Sequence, residues 1–75
     1  MKRKTPPGGY VLCLGNRGYK ASLVVRKVYS TISDPDAESR GLIRVIDESG
    51  EDYLFPGRLF TSIEIPIEAR QRMQI

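Results

Sequence analysis

The run Gly41 to Ile65, GLIRVIDESGEDYLFPGRLFTSIEI, constrains the fold more than any other stretch of the chain. In Leu42 to Asp47, Ile43 and Val45 share one face while Leu42, Arg44 and Ile46 share the other. Apolar residues on both faces predict a central strand, with Arg44 reaching to solvent. Glu48-Ser49-Gly50-Glu51 is a hairpin turn, with Gly50 where a positive φ is needed. Asp52 to Phe55 returns as the partner strand, and Pro56, with no N–H to give a ladder, ends it. Pro56 to Phe60 is too short for an α-helix and suits a single 3₁₀ turn. Thr61 to Ile65 then alternates, with Ile63 and Ile65 inward and Ser62 and Glu64 outward.

The half before this run is less regular. Met1 to Gly9 combines two prolines, two glycines and three cations, which predicts a flexible basic tail over residues 1–9. Tyr10 to Leu14 is a short apolar strand, and Gly15-Asn16-Arg17-Gly18 a turn. Tyr19 to Ile32 reads as extended but changes phase. Leu23 and Val25 alternate on one face, and Val28, Ser30 and Ile32 fall one residue out of step, so a bulge or bend is expected near Arg26-Lys27. Leu23, Val24, Lys27 and Val28 also fit a helical period, but the β-branched and aromatic content favours strand. Ser33 to Arg40 is a polar loop with room for one helical turn from Pro35, capped by Asp34. Pro66 to Ile75 suits a short C-terminal helix with Glu68 in its first turn; its poor apolar face predicts fraying unless it docks.

Seventy-five residues make one small domain, and 40% hydrophobic with 28% charged residues is a globular composition. The single cysteine, Cys13, has no internal partner and sits among Val11, Leu12 and Leu14, so it reads as a core hydrophobe. A disulfide-stapled fold is excluded, and a cytoplasmic location is the expectation. No apolar run is long enough to span a membrane. The basic start leads into Thr5-Pro6-Pro7-Gly8-Gly9 and does not read as a signal peptide. The formal charge is +3; with Lys2, Arg3 and Lys4 in the tail, the remaining cations balance the carboxylates of the body. Cations concentrate in the first half and carboxylates in the middle, a bipolar surface that suits a protein partner as well as a phosphate backbone.

The chain has no histidine, which removes the commonest acid–base group and transition-metal ligand. One thiol supplies no zinc or iron–sulfur set. No cofactor, metal or catalytic site is expected, and Cys13 has no activating base in view. The acidic group Asp47, Glu48, Glu51 and Asp52 lacks the spacing of a cation loop and reads as a solvated hairpin tip, with Asp52 available to Arg44 or Arg58. Gly8-Gly9 and Gly15-x-x-Gly18 are turns and not a phosphate loop. Four tyrosines interleaved with cations offer two readings: a stacking and phosphate-binding surface, or half-core rings with hydroxyls at the rim. The candidate binding surface is Arg17, Tyr19, Lys20, Lys27 and Tyr29.

The order of five short strands, a polar loop after the second, a tight hairpin and a single turn before the last strand resembles an SH3-like barrel. Leu54 to Ile63, LFPGRLFTSI, is similar to the closing segment of SH3 domains, with Phe60 and Ile63 at its two apolar positions. Gly41 to Pro56 also resembles a family of short uncharacterised bacterial proteins with an RVIDESGEDYLYP-like run, a resemblance that implies no activity. Peptide-binding SH3 domains grip polyproline in an aromatic groove. Here Cys13-Leu14-Gly15-Asn16-Arg17 stands where their paired tyrosines lie, so Gly15 and Arg17 replace both rings. Leu59 replaces the tyrosine after the proline, the chain has no tryptophan, and only Pro56 is kept. The proline-rich ligand is therefore not carried over. The expectation is an all-β, SH3-like five-stranded small barrel over residues 10–66, followed by a short helix or frayed tail over 67–75. Its expected role is a non-catalytic protein-interaction or regulatory module. The alternative is an RNA- or DNA-binding barrel anchored by the basic arm.

Overall fold

A computed structural model of the chain describes residues 7–73. The basic run Lys2-Arg3-Lys4 and the final Gln74-Ile75 lie outside the described residues. The elements are β1 (Pro7–Cys13), β2 (Val28–Ile32), α1 (Pro35–Glu38), β3 (Leu42–Ile46), β4 (Asp52–Pro56), a 3₁₀ turn (Gly57–Leu59), β5 (Phe60–Ile63) and α2 (Ile67–Met73). The strands form one antiparallel sheet in the order β4-β3-β2-β1-β5. With the 3₁₀ turn between the two outer strands, this is the order of an SH3-like small barrel. Among the described residues no helix is long and apolar enough to cross a membrane.

The stretch from Gly41 folds as its turn residues dictate. Gly50 takes φ +86° at the hairpin tip. The Asp47 carboxylate accepts from the Ser49 N–H at 2.8 Å and from its hydroxyl at 2.5 Å, which closes the turn locally. β3 lies between β4 and β2, and Arg44 on its outer face bridges Asp34 at 2.8 Å and Asp52 at 2.9 Å. Asp34 also caps α1, accepting from the Ala37 N–H at 3.1 Å. That N–H, followed by Arg44, holds the Asp34 carboxyl below the usual carboxylate range.

β1 starts earlier than the expected boundary at Tyr10. Pro7 pairs with Ile32 and Gly9 with Thr31, so one extra residue is bulged out at Gly8-Gly9. Gly9 has φ +138°, which a side chain would resist, and its carbonyl accepts from the buried Thr31 hydroxyl at 3.2 Å. The two glycines read as tail from sequence are therefore part of the ladder.

The core gathers Val11, Cys13, Leu23, Tyr29, Val45, Phe55, Leu59 and Phe60, with Tyr19 and Ile43 packed against it. Phe55 is central: Tyr19 meets it edge-on at 5.2 Å and Phe60 at 6.2 Å between ring centroids. Cys13 is fully buried, and that burial pushes its thiol pKa up.

Candidate functional site

Of the extended segment expected over Tyr19 to Ile32, only Val28–Ile32 is a strand, and the segment 14–27 carries no helix or strand. It folds as a series of turns instead. The Tyr19 N–H donates to Asn16 O at 2.8 Å across Arg17-Gly18, and Gly18 takes φ +87°. The Ser22 and Leu23 N–H groups then return to Tyr19 O at 3.0 Å. The Asn16 side chain donates to Leu23 O at 2.9 Å and so staples the loop across its neck, while Leu23 itself is driven into the core.

The expected irregularity falls at Arg26-Lys27 and is a bulge. The Arg26 N–H donates to Cys13 O at 2.7 Å, and the Cys13 N–H donates to Lys27 O at 2.9 Å, so two residues oppose one. Val24 to Lys27 forms a turn whose third residue is Arg26, with φ +72°. Glycine or asparagine normally fills such a position. Arg26 is the one non-glycine residue with positive φ among the described residues.

The structure divides the expected binding residues. Arg17 and Lys20 are exposed at the loop's tips, and Tyr19 is half-buried on Phe55. Lys27 is exposed but paired, with its Nζ 2.6 Å from Glu48 Oε2 and 5.6 Å from the Tyr29 ring centroid. Tyr29 is only 5% exposed, so its ring faces the core and offers nothing to a partner. Its hydroxyl donates to Glu48 Oε2 at 2.5 Å and accepts from the Val24 N–H at 2.8 Å. Burial first, and the hydrogen bond to Glu48 second, push the Tyr29 pKa up to about 12. The bonds from Lys27 and Tyr29 hold Glu48 below the ordinary glutamate range.

Glu48, exposed with the rest of the hairpin tip, is nevertheless committed to contacts across the fold. Its side chain and its N–H, which donates to Ser22 O at 3.0 Å, clasp the hairpin to the 14–27 loop. Asp47, by contrast, is buried, and Ser49 satisfies it. Three exposed aliphatic residues, absent from the sequence-derived set, lie around the bulge: Leu14 at 55%, Val24 at 48% and Val25 at 36% exposure. The out-of-step phase at Arg26-Lys27 was the available signal for them. A second exposed apolar pair, Tyr53 and Leu54, sits on β4. It borders an open groove of about 370 Å³ whose other walls are Tyr19, Ser22, Asp47, Ser49 and Phe55.

No protein-family model, curated protein or solved structure matches this chain.

Proposed function

We propose that the chain is a non-catalytic protein-binding module that meets its partner through Leu14 and the Val24–Lys27 turn. The observation that carries this reading is the arrangement of the turn itself. Val24 and Val25 are held outward beside Leu14, and Arg26 is kept in a conformation that disfavours its side chain. Backbone strain of this kind costs of order 1–3 kcal/mol and clusters where function uses it. Segments this long without secondary structure are uncommon in compact domains unless functional. The loop is anchored by Leu23, Asn16 and the Glu48 clasp, so its outward face is presented by a fixed frame. Aliphatic side chains beside Arg26 and the exposed Arg17 and Lys20 suit an apolar protein surface edged with carboxylates.

The nucleic-acid alternative has less support, because stacking needs free aromatic faces. Tyr29 is buried, Tyr19 packs on Phe55, and Arg70 lies over the Tyr10 ring at 6.0 Å. Tyr53 is exposed but donates to Glu51 at 3.1 Å, in an acidic setting that repels phosphate. A photo-crosslinking residue at Val25 tests the choice in cells that make the protein. The expected result is a discrete protein adduct that Val24→Asp abolishes without unfolding the domain. No adduct, or binding of mixed single- and double-stranded nucleic acid at physiological salt, overturns the reading.

A further inference from the structure

Among the described residues β4 is an outer strand of the sheet and pairs only with β3. Its hydrogen-bonding phase is fixed from both ends. The Asp47 N–H donates to Glu51 O at 3.0 Å, and the Gly57 N–H donates to Gly41 O at 2.9 Å. The phase alternates along an antiparallel pair, so Tyr53 and Phe55 also aim their backbone groups at β3. Asp52 and Leu54 therefore aim their N–H and C=O groups away from the sheet. Among the described residues those outward groups meet no backbone partner. Tyr53, between them, is 50% exposed and Leu54 is 39% exposed. An unpaired edge with apolar side chains is a template for another strand.

We infer that the strand completing this edge is β4 of a second copy, paired antiparallel about a two-fold axis through Tyr53. Register selects this arrangement. An axis at Asp52 would place two carboxylates opposite each other. An axis at Leu54 would place Asp52 opposite Pro56, which has no N–H to donate. With the axis at Tyr53, Asp52 lies opposite the second copy's Leu54, and Leu54 opposite its Asp52. Each such pair exchanges both of its N–H···O bonds. The two Tyr53 residues then form a non-hydrogen-bonded pair, with Cα atoms about 4.5 Å apart. In this register Glu51 lies opposite the other copy's Phe55, and Arg58, exposed in the 3₁₀ turn just beyond β4, falls toward the other copy's carboxylate-rich hairpin tip. Charged edges normally deter pairing, and here the same charges penalise the competing registers. A patch that complements itself across a two-fold axis gives a closed dimer, not an open fibre. The inference is independent of whether the Val24–Lys27 turn binds a protein.

Disulfide trapping reads the geometry directly, because Cα atoms about 4.5 Å apart fall inside the range a disulfide spans. Under mild oxidation, Tyr53→Cys is expected to give a covalent dimer on a non-reducing gel. Thr61→Cys, an exposed position on the opposite outer strand, should remain monomeric under the same treatment, and buried Cys13 should stay silent in both. In sedimentation velocity over a concentration series, the unmodified chain should move toward the dimer mass. Leu54→Pro removes an outward N–H without touching the β3–β4 ladder, and should weaken association by about tenfold or more. Arg58→Glu gives the same readout if Leu54→Pro does not fold. A chain that stays monomeric throughout with no Tyr53→Cys adduct overturns the inference. So does equal trapping of Thr61→Cys, or a folded variant that associates as well as the parent.

Discussion

The Tyr29 hydroxyl joins three separated parts of the chain: it donates to Glu48 at 2.5 Å and accepts from the Val24 N–H at 2.8 Å. It ties β2, the hairpin and the exposed turn at one atom. Tyr29→Phe keeps the ring in the core and removes only that atom. A hydrogen bond to a charged acceptor and a half-buried N–H lose their partner, so a loss of about 1–3 kcal/mol is expected in urea denaturation. An unchanged midpoint would show that water replaces the hydroxyl at no cost. The raised Tyr29 pKa adds a pH signature. The folded value of about 12 lies above the unfolded value near 10, so the folded state favours the neutral phenol. That contribution is fully present below pH about 10 and is lost as pH rises toward about 12. Tyr29→Phe should flatten stability in that alkaline window.

Acid should act through Glu48 with the opposite sign. Its pKa is held below the ordinary value, chiefly by the bond from Lys27 and then by that from Tyr29. The stability it contributes is present above the unfolded glutamate pKa and is lost as pH falls through the lowered folded value. Asp34 follows the same rule through the Ala37 N–H and Arg44. Thermal midpoints of the parent and of Glu48→Gln should therefore converge as the solution is acidified. A constant gap down to the acid end would mean that the Glu48 charge contributes nothing to holding the loop.

Local chemistry explains why the Gly41–Ile65 run was legible. Gly50 and Pro56 are punctuation that acts within a few residues, so the hairpin and the 3₁₀ turn follow from the residues themselves. The turn at Gly15-Asn16-Arg17-Gly18 was legible for the same reason, but residues 19–27, expected to be extended, form turns because their path is set from far away. Asn16 holds Leu23, Tyr29 holds Val24, and Cys13 holds Arg26. None of these bonds leaves a period in the sequence. Only the phase shift at Arg26-Lys27 showed through, and there the bulge appears. β2 makes the same point: Tyr29 and Thr31 turn inward because Glu48 and the Gly9 carbonyl satisfy their hydroxyls across the fold. The clasp was invisible for the same reason, since a run of carboxylates beside a glycine turn gives no hint that Glu48 faces Lys27 and Tyr29.

Replacing Arg26 by glycine separates stability from binding. A left-handed conformation costs a non-glycine residue about 1–2 kcal/mol, and glycine returns about 0.5–1 kcal/mol of that as chain entropy. Arg26→Gly should therefore stabilise the domain by about 0.5–1 kcal/mol in denaturant titration. The same change should weaken the protein adduct trapped at Val25, because it removes the cation from the exposed face. Stabilisation with full retention of the adduct would leave Arg26 without a role in recognition.

Leu23 is the residue on which the frame of the 14–27 loop most depends. It is fully buried, and its carbonyl receives the Asn16 staple. Leu23→Ala removes buried methyl groups and opens a cavity beneath a segment that has no ladder of its own. Such substitutions cost about 2–5 kcal/mol. The whole margin of a small domain is of order 5–15 kcal/mol, so this one change should move the urea midpoint far. Val24→Ala, one residue on but half exposed, should stay within about 0.5 kcal/mol of the parent. The two variants share backbone and loop and differ in which side of it they touch. A similar cost for both would mean that the loop is not held by its core anchor, and that the outward face has no fixed frame to present it.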